Sequence, residues 1–130
     1  MIMDALLALH ELRAPLHIML HVLVPAFVAA VFARGRVVGA FVIMMATMLV
    51  DLDHLLAVPI YAANRCSIWF HPLHTGLPII IYGLMMCWPL FSKSTGIVKG
   101  SRVIGWLGGG LVIHMLLDAL DCLWMRCAAG

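Results

Sequence analysis

Four long apolar stretches, separated by short polar segments, constrain this chain more than any other feature. They run over about 14–33, 37–60, 74–92 and 103–125. Each approaches the ~20 residues that a helix needs to cross the hydrocarbon of a bilayer. Of 130 residues, 65% are hydrophobic and 11% charged, with a mean hydropathy of +1.10. A soluble domain carries about 25% charged residues, so this chain could not cover a water-facing surface. In lipid, only helices and closed barrels satisfy their own backbone, and these runs are too long and too poorly alternating for barrel strands. The expected fold is all-α: one integral-membrane domain over residues 1–130, built as a four-helix transmembrane bundle.

The details of the runs fit that plan. Pro15 suits the first turn of a helix, and Arg34-Gly35-Arg36 forms a basic turn after the first run. The residues ahead of it carry Asp4, Glu11 and Arg13 without an early Lys or Arg. They read as a short interfacial N-terminal helix rather than a secretory signal. The GWLGGG segment at 105–110 offers small residues that let membrane helices approach closely. A small unit of this kind is also a candidate for self-association. The formal charge of +2 is too small and scattered for a nucleic-acid partner; the expected partner is the lipid bilayer. Lys and Arg number five in the loops after runs one and three, against three on the opposite side. The positive-inside bias therefore places both termini outside the cytoplasm. Cys66, Cys122 and Cys127 fall on that same side, where an oxidising compartment would permit a disulfide.

Against this apolar background, the placement of the ionisable residues stands out. His17 and His21 lie in run one, Asp51, Asp53 and His54 late in run two, His71 and His74 at the head of run three, and His114, Asp118 and Asp121 late in run four. In an up-down-up-down bundle all four groups share one membrane side. Spacing puts each set on a helix face: His17 and His21 are i,i+4, Asp51 and His54 i,i+3, and His114 and Asp118 i,i+4. His71 precedes Pro72 and should be extended, with Pro72 opening the third helix and His74 early in it. Asp53, about 200° from Asp51 on a regular helix, must serve another metal or lie where the helix bends.

Ionisable residues at membrane depth default to function. Imidazole nitrogens and carboxylate oxygens suit zinc, iron or manganese, and helix bundles build metal sites from facing helices. The metal-ligand set read from the sequence is His17, His21, Asp51, Asp53, His54, His71, His74, His114 and Asp118, with Asp51 and Asp118 as bridging carboxylates. So many donors exceed one ion and suit two or three divalent ions, zinc first among them. A polar network tying the helices together is the competing account. It leaves the buried acids without a matching set of buried cations. His10 reads as a helix–helix hydrogen-bonding residue, and Asp121 as either ligand or interfacial group.

Asp51-Leu52-Asp53-His54, His71-Pro72-Leu73-His74-Thr75 and His114-Met115-Leu116-Leu117-Asp118, in this order, resemble bacterial inner-membrane proteins identified as membrane-bound metal-dependent hydrolases. His17, His21 and Pro25, with the segment 59–74, are similar to a small uncharacterised branch of that group, itself distantly related to zinc-dependent phospholipase C and P1 nuclease. The resemblance covers roughly residues 16–125. The group's usual middle motif, a His-Arg pair followed by Thr-His-Ser, is shortened here to HPLHT. The resemblance implies a multi-pass protein of the bacterial inner membrane, and the Lys/Arg bias puts the metal site, like the termini, on the periplasmic side. It also implies hydrolysis of a phosphoester in a lipid or lipid-linked substrate; on the residue chemistry alone, Asp53 or His71 is the candidate catalytic acid or base. The alternatives are a transition-metal transporter, a non-catalytic metal-binding membrane protein, and a haem carrier, which would leave the aspartates unexplained.

Overall fold

A computed structural model describes residues 2–60, 62, 65–92 and 98–128, with side chains except those of 2–11, 98–99 and 128. His10, Asp4 and Glu11 therefore fall outside the described side chains. The described residues form four α-helices: α1 (Ile2–Phe32), α2 (Val37–Ala46), α3 (Gly76–Ser92) and α4 (Val98–Ala128). Two 3₁₀ segments, Thr47–Leu56 and Pro72–His74, lie between α2 and α3. The all-α bundle expected from the apolar runs is the fold observed.

Leu12–Phe32, Val37–Leu56 and Gly100–Cys127 are long and apolar enough to cross a membrane, and Gly76–Ser92 is a shorter apolar helix of 17 residues. The outer faces carry exposed Ile18, Phe27, Val38, Leu84 and Leu90. An exterior of this kind faces hydrocarbon at no desolvation cost.

Boundaries differ from expectation in four places. The N-terminal segment is not a separate interfacial helix but continues through Pro15 into α1, which runs unbroken for 31 residues. The second run leaves α-geometry at Ala46 and tightens into 3₁₀ turns, so it does not stay α-helical to residue 60. Pro72–His74 forms its own turn, cut from α3 by an extended Thr75 (φ −93°, ψ 171°). His71 is extended as expected, at φ −87° and ψ 144°. The polar loop expected over 93–102 is also shorter: α4 begins at Val98, and 93–97 lie outside the described residues.

α4 packs against each of the other three helices. Its glycines set the closest approach: a Cβ on Gly105 would strike the Pro89 ring, and one on Gly108 the backbone nitrogen of Met86. The pairing of 105 with 89 and 108 with 86 makes α3 and α4 antiparallel. On another face, a Cβ at Gly110 would come within 2.9 Å of Met44 Cα on α2. Small residues also join α1 to α2, where Ala29, Ala33 and Ala40 bury against Met44. The α1–α2 reversal needs Gly35, whose φ of +73° is left-handed.

Between α2 and α3 the described residues are tied to the helices at several points. Cys66 is disulfide-bonded to Cys122 of α4, which staples this segment to the last helix. Trp69 holds a left-handed φ of 70°, its N–H donates to His74 O at 3.1 Å, and its ring covers Gly76. Tyr82 of α3 donates its hydroxyl to Leu73 O at 3.1 Å. These ties deliver His74 to a fully buried position. Irregular backbone enclosed by protein is tolerated when its polar groups are paired in this way.

Candidate metal centre

The nine residues singled out as ligands fall into three groups, two of which share Asp118. Asp51, His74, His114 and Asp118 form the first, His17, His21 and Asp118 the second, and Asp53, His54 and His71 the third. Within each, one donor atom per residue lies within 4.8 Å of the others. Any of these groups could hold a metal ion.

The first group has the dimensions of a coordination shell. His74 Nε2 lies 3.1 Å from Asp118 Oδ2 and 3.4 Å from Asp51 Oδ1. His114 Nε2 lies 3.0 Å from Asp51 Oδ1 and 3.7 Å from Asp118 Oδ2. A tetrahedral ion with bonds of about 2.0–2.1 Å separates neighbouring donors by roughly 3.4 Å, the centre of that range. His74 Nε2 and Asp118 Oδ2 are buried without a hydrogen-bond partner although they are near neighbours. In ion-free protein a proton on Nε2 fills this gap, and a cation bound between the donors would take that proton's place.

The second group uses the other oxygen of Asp118. His17 Nε2 is 3.2 Å and His21 Nε2 3.6 Å from Asp118 Oδ1. His21 Nδ1 donates to the His17 carbonyl at 2.9 Å, which leaves Nε2 as the lone-pair nitrogen, itself unpartnered and buried. The i,i+4 spacing read from the sequence thus does two things: it brings both rings edge to face on one helix face and fixes the tautomer of the deeper one.

Asp53 occupies a different position. Its Oδ2 accepts the Leu73 N–H at 2.8 Å and the His74 Nδ1–H at 3.2 Å, and its Oδ1 lies 3.1 Å from His54 Nδ1. The carboxylate holds His74 so that Nε2 faces the other acids, the outer partner that metal-bound histidines commonly have. The 3₁₀ geometry explains its placement: at three residues per turn, Asp51 and His54 eclipse while Asp53 turns inward beneath the Pro72 turn. His54 Nε2 meets Ser67 Oγ at 3.1 Å, and the His54 and His71 rings stack with centroids 3.7 Å apart. Ser67 was not visible as a site residue; nothing but its location within 59–74 signals it.

Two of these histidines lie outside the spans. Burial alone would lower the pKa of His74, but the carboxylates of Asp118, Asp51 and Asp53 outweigh it and raise the value to about 10. His71 is pushed below the ordinary imidazole range by burial and by neighbouring His54. Asp121, at the edge of the cluster, approaches Arg13 Nε at 3.7 Å and enters none of the three donor groups.

Fold and site together define a membrane-type helical bundle with a buried His/Asp cluster able to hold a metal. The chain belongs to a family of unknown function (DUF6122), whose model matches residues 11–125. No curated protein and no solved structure matches it.

Proposed function

We propose that the protein is a membrane-embedded, metal-dependent hydrolase that acts on a phosphoester of a lipid or lipid-linked substrate. One observation carries the reading: Asp51, His74, His114 and Asp118, drawn from three separate segments, stand at coordination-shell distances with two donor atoms unpartnered. Asp118 presents one oxygen to each of two donor groups, and Asp53, His54 and His71 form a third, so two or three zinc-like ions are the proposed complement. Ions held there would supply Lewis acidity, neutralising charge on a phosphoryl oxygen and lowering the pKa of water. His71, kept neutral by its surroundings, is the proposed proton acceptor, and Asp53 positions His74. The resemblance to membrane-bound metal-dependent hydrolases supports the same reading.

The proposed setting is the bacterial inner membrane with the cluster toward the periplasm. The Cys66–Cys122 disulfide at that end supports it, because disulfides persist in oxidising compartments.

A second reading, a transition-metal transporter, has one observation in its favour. His21 and His114 fall near the middle of the spans Leu12–Phe32 and Gly100–Cys127, the depth at which transporters hold cargo. The test separates the two. Purified protein is analysed for metals, then assayed for product release from mixed phospholipid micelles before and after chelation. Metal present with chelator-sensitive release supports the hydrolase. Metal present without release, together with zinc uptake into proteoliposomes, replaces it with the transporter. Protein that carries and binds no transition metal removes both.

A further inference from the structure

A small cavity of about 60 Å³ opens between α1 and α4 beside His17. From α1 it is lined by Arg13 and His17 with two leucines, and from α4 by Asp121 and Trp124 with two leucines, each set at i, i+3, i+4 and i+7. Four leucines make up half of its lining residues, and Arg13, His17 and Asp121 are the charged or ionisable ones. Arg13 is the second residue of the span beginning at Leu12, and Trp124 lies three residues from the end of the span at Cys127. Both positions suit the depth at which headgroups meet hydrocarbon.

The guanidinium is only partly accounted for. Its Nε approaches Asp121 at a long 3.7 Å, while Nη1 is buried with no hydrogen-bond partner. A planar fork with an unused donor matches the oxygens of a phosphoryl group, which it can take bidentately. The anion would sit beside His17, whose Nε2 is 3.2 Å from Asp118, so the cavity abuts the donor cluster. We propose that this cleft seats the phosphoryl headgroup of a lipid entering sideways from the bilayer, with Arg13 as the group that grips it. The proposal rests on the hydrolase reading for its purpose but not for its geometry: Arg13 binds the headgroup directly, and the leucines of the lining are where the first carbons of the acyl chains would lie.

The test uses a phosphonate analogue of dioleoyl phosphatidic acid, which the protein cannot hydrolyse. Full-length, zinc-supplemented protein in detergent is examined by native mass spectrometry for retained lipid. Dioleoylglycerol, which lacks the anion, and a water-soluble phosphonate, which lacks the chains, serve as comparisons. Wild type should retain the phosphonate lipid over both. Arg13→Gln should weaken retention roughly tenfold or more, the worth of a charge-assisted hydrogen bond, with metal content unchanged. Asp121→Asn, which removes the competing carboxylate, should retain the lipid more strongly. If Arg13 merely ties α1 to α4, Asp121→Asn lowers the melting temperature without any gain in retention, and the proposal fails. It also fails if Arg13→Gln binds like wild type, or if the soluble phosphonate binds as tightly as the lipid. Arg13-dependent retention by protein that shows no hydrolysis overturns the catalytic reading and leaves this seat intact. Hydrolysis with Arg13-independent retention does the reverse.

Discussion

The Nδ1–H of His74 donates to Oδ2 of Asp53 across 3.2 Å, and this bond decides which imidazole nitrogen faces Asp51 and Asp118. The same oxygen accepts the Leu73 N–H at 2.8 Å. Backbone, carboxylate and imidazole are thereby locked into one unit, and the turn Pro72–His74 cannot shift without rotating the ring.

Asp53→Asn should therefore weaken metal binding while leaving the number of sites intact. Loss of an outer-shell partner typically costs about 10–100-fold in affinity. Asp118→Asn removes the carboxylate shared by two donor groups and should reduce the number of ions bound. Zinc titration with an indicator chelator, paired with elemental analysis at saturation, distinguishes the two outcomes. Equal stoichiometry in both variants would contradict these roles.

Metal binding should release protons. With its pKa raised to about 10, His74 is protonated near neutral pH in ion-free protein, and its nitrogen must shed that proton to coordinate. Affinity then falls as pH is lowered. Calorimetry in buffers of different ionisation enthalpy reads the proton count, expected to be at least about one per ion in the Asp51–His74–His114–Asp118 group. In the ion-free protein the sign is opposite. Contacts of charged His74 stabilise the fold fully below the ordinary histidine range, and that stabilisation is lost as pH rises through about 10.

Much of this cluster is legible along the chain because helical spacing is a strong signal. His17 with His21, and His114 with Asp118, each lie four apart and meet in space as that spacing requires. Asp53 is different. Its angle to Asp51 is meaningful only once the local geometry is known, and the switch from α to 3₁₀ at Thr47 has no marker in TMLVDLDHLL. His74 was expected inside a helix because Pro72 suits a first turn; the extended Thr75 that separates it depends on the Tyr82 and Trp69 contacts, which are tertiary. The continuity of α1 through Pro15 was likewise hidden, since proline is equally at home in the first turn of a new helix.

Reduction of Cys66–Cys122, or Cys66→Ser, should loosen the segment that carries Ser67, His71 and His74 more than the helices. The bond spans a sequence separation of 56, and loops of that order are worth about 2–4 kcal/mol. The expected result is a lower melting temperature and weaker zinc binding with nearly unchanged far-ultraviolet circular dichroism. A variant with wild-type zinc affinity would show that the staple does not support the site.

Adjacent glycines on α4 should behave oppositely. Gly108→Ala places a methyl group onto the Met86 backbone, whereas at Gly109 the nearest atom, Met86 Cγ, is 4.0 Å away. Overpacking of the first kind typically costs about 1–3 kcal/mol, while Gly109→Ala should be neutral or slightly stabilising. Thermal denaturation in one detergent measures both.

Asp118 is the last of the nine donors along the chain, and His17, His21 and His74 all turn toward it. A nascent chain with α1 to α3 already in the bilayer holds these imidazoles and Asp51 but lacks the carboxylate that gathers them. Capture of an ion at either group that uses Asp118 must wait until α4 has threaded and docked. On the proposed function, an ion held there would mark a chain whose last helix has already docked.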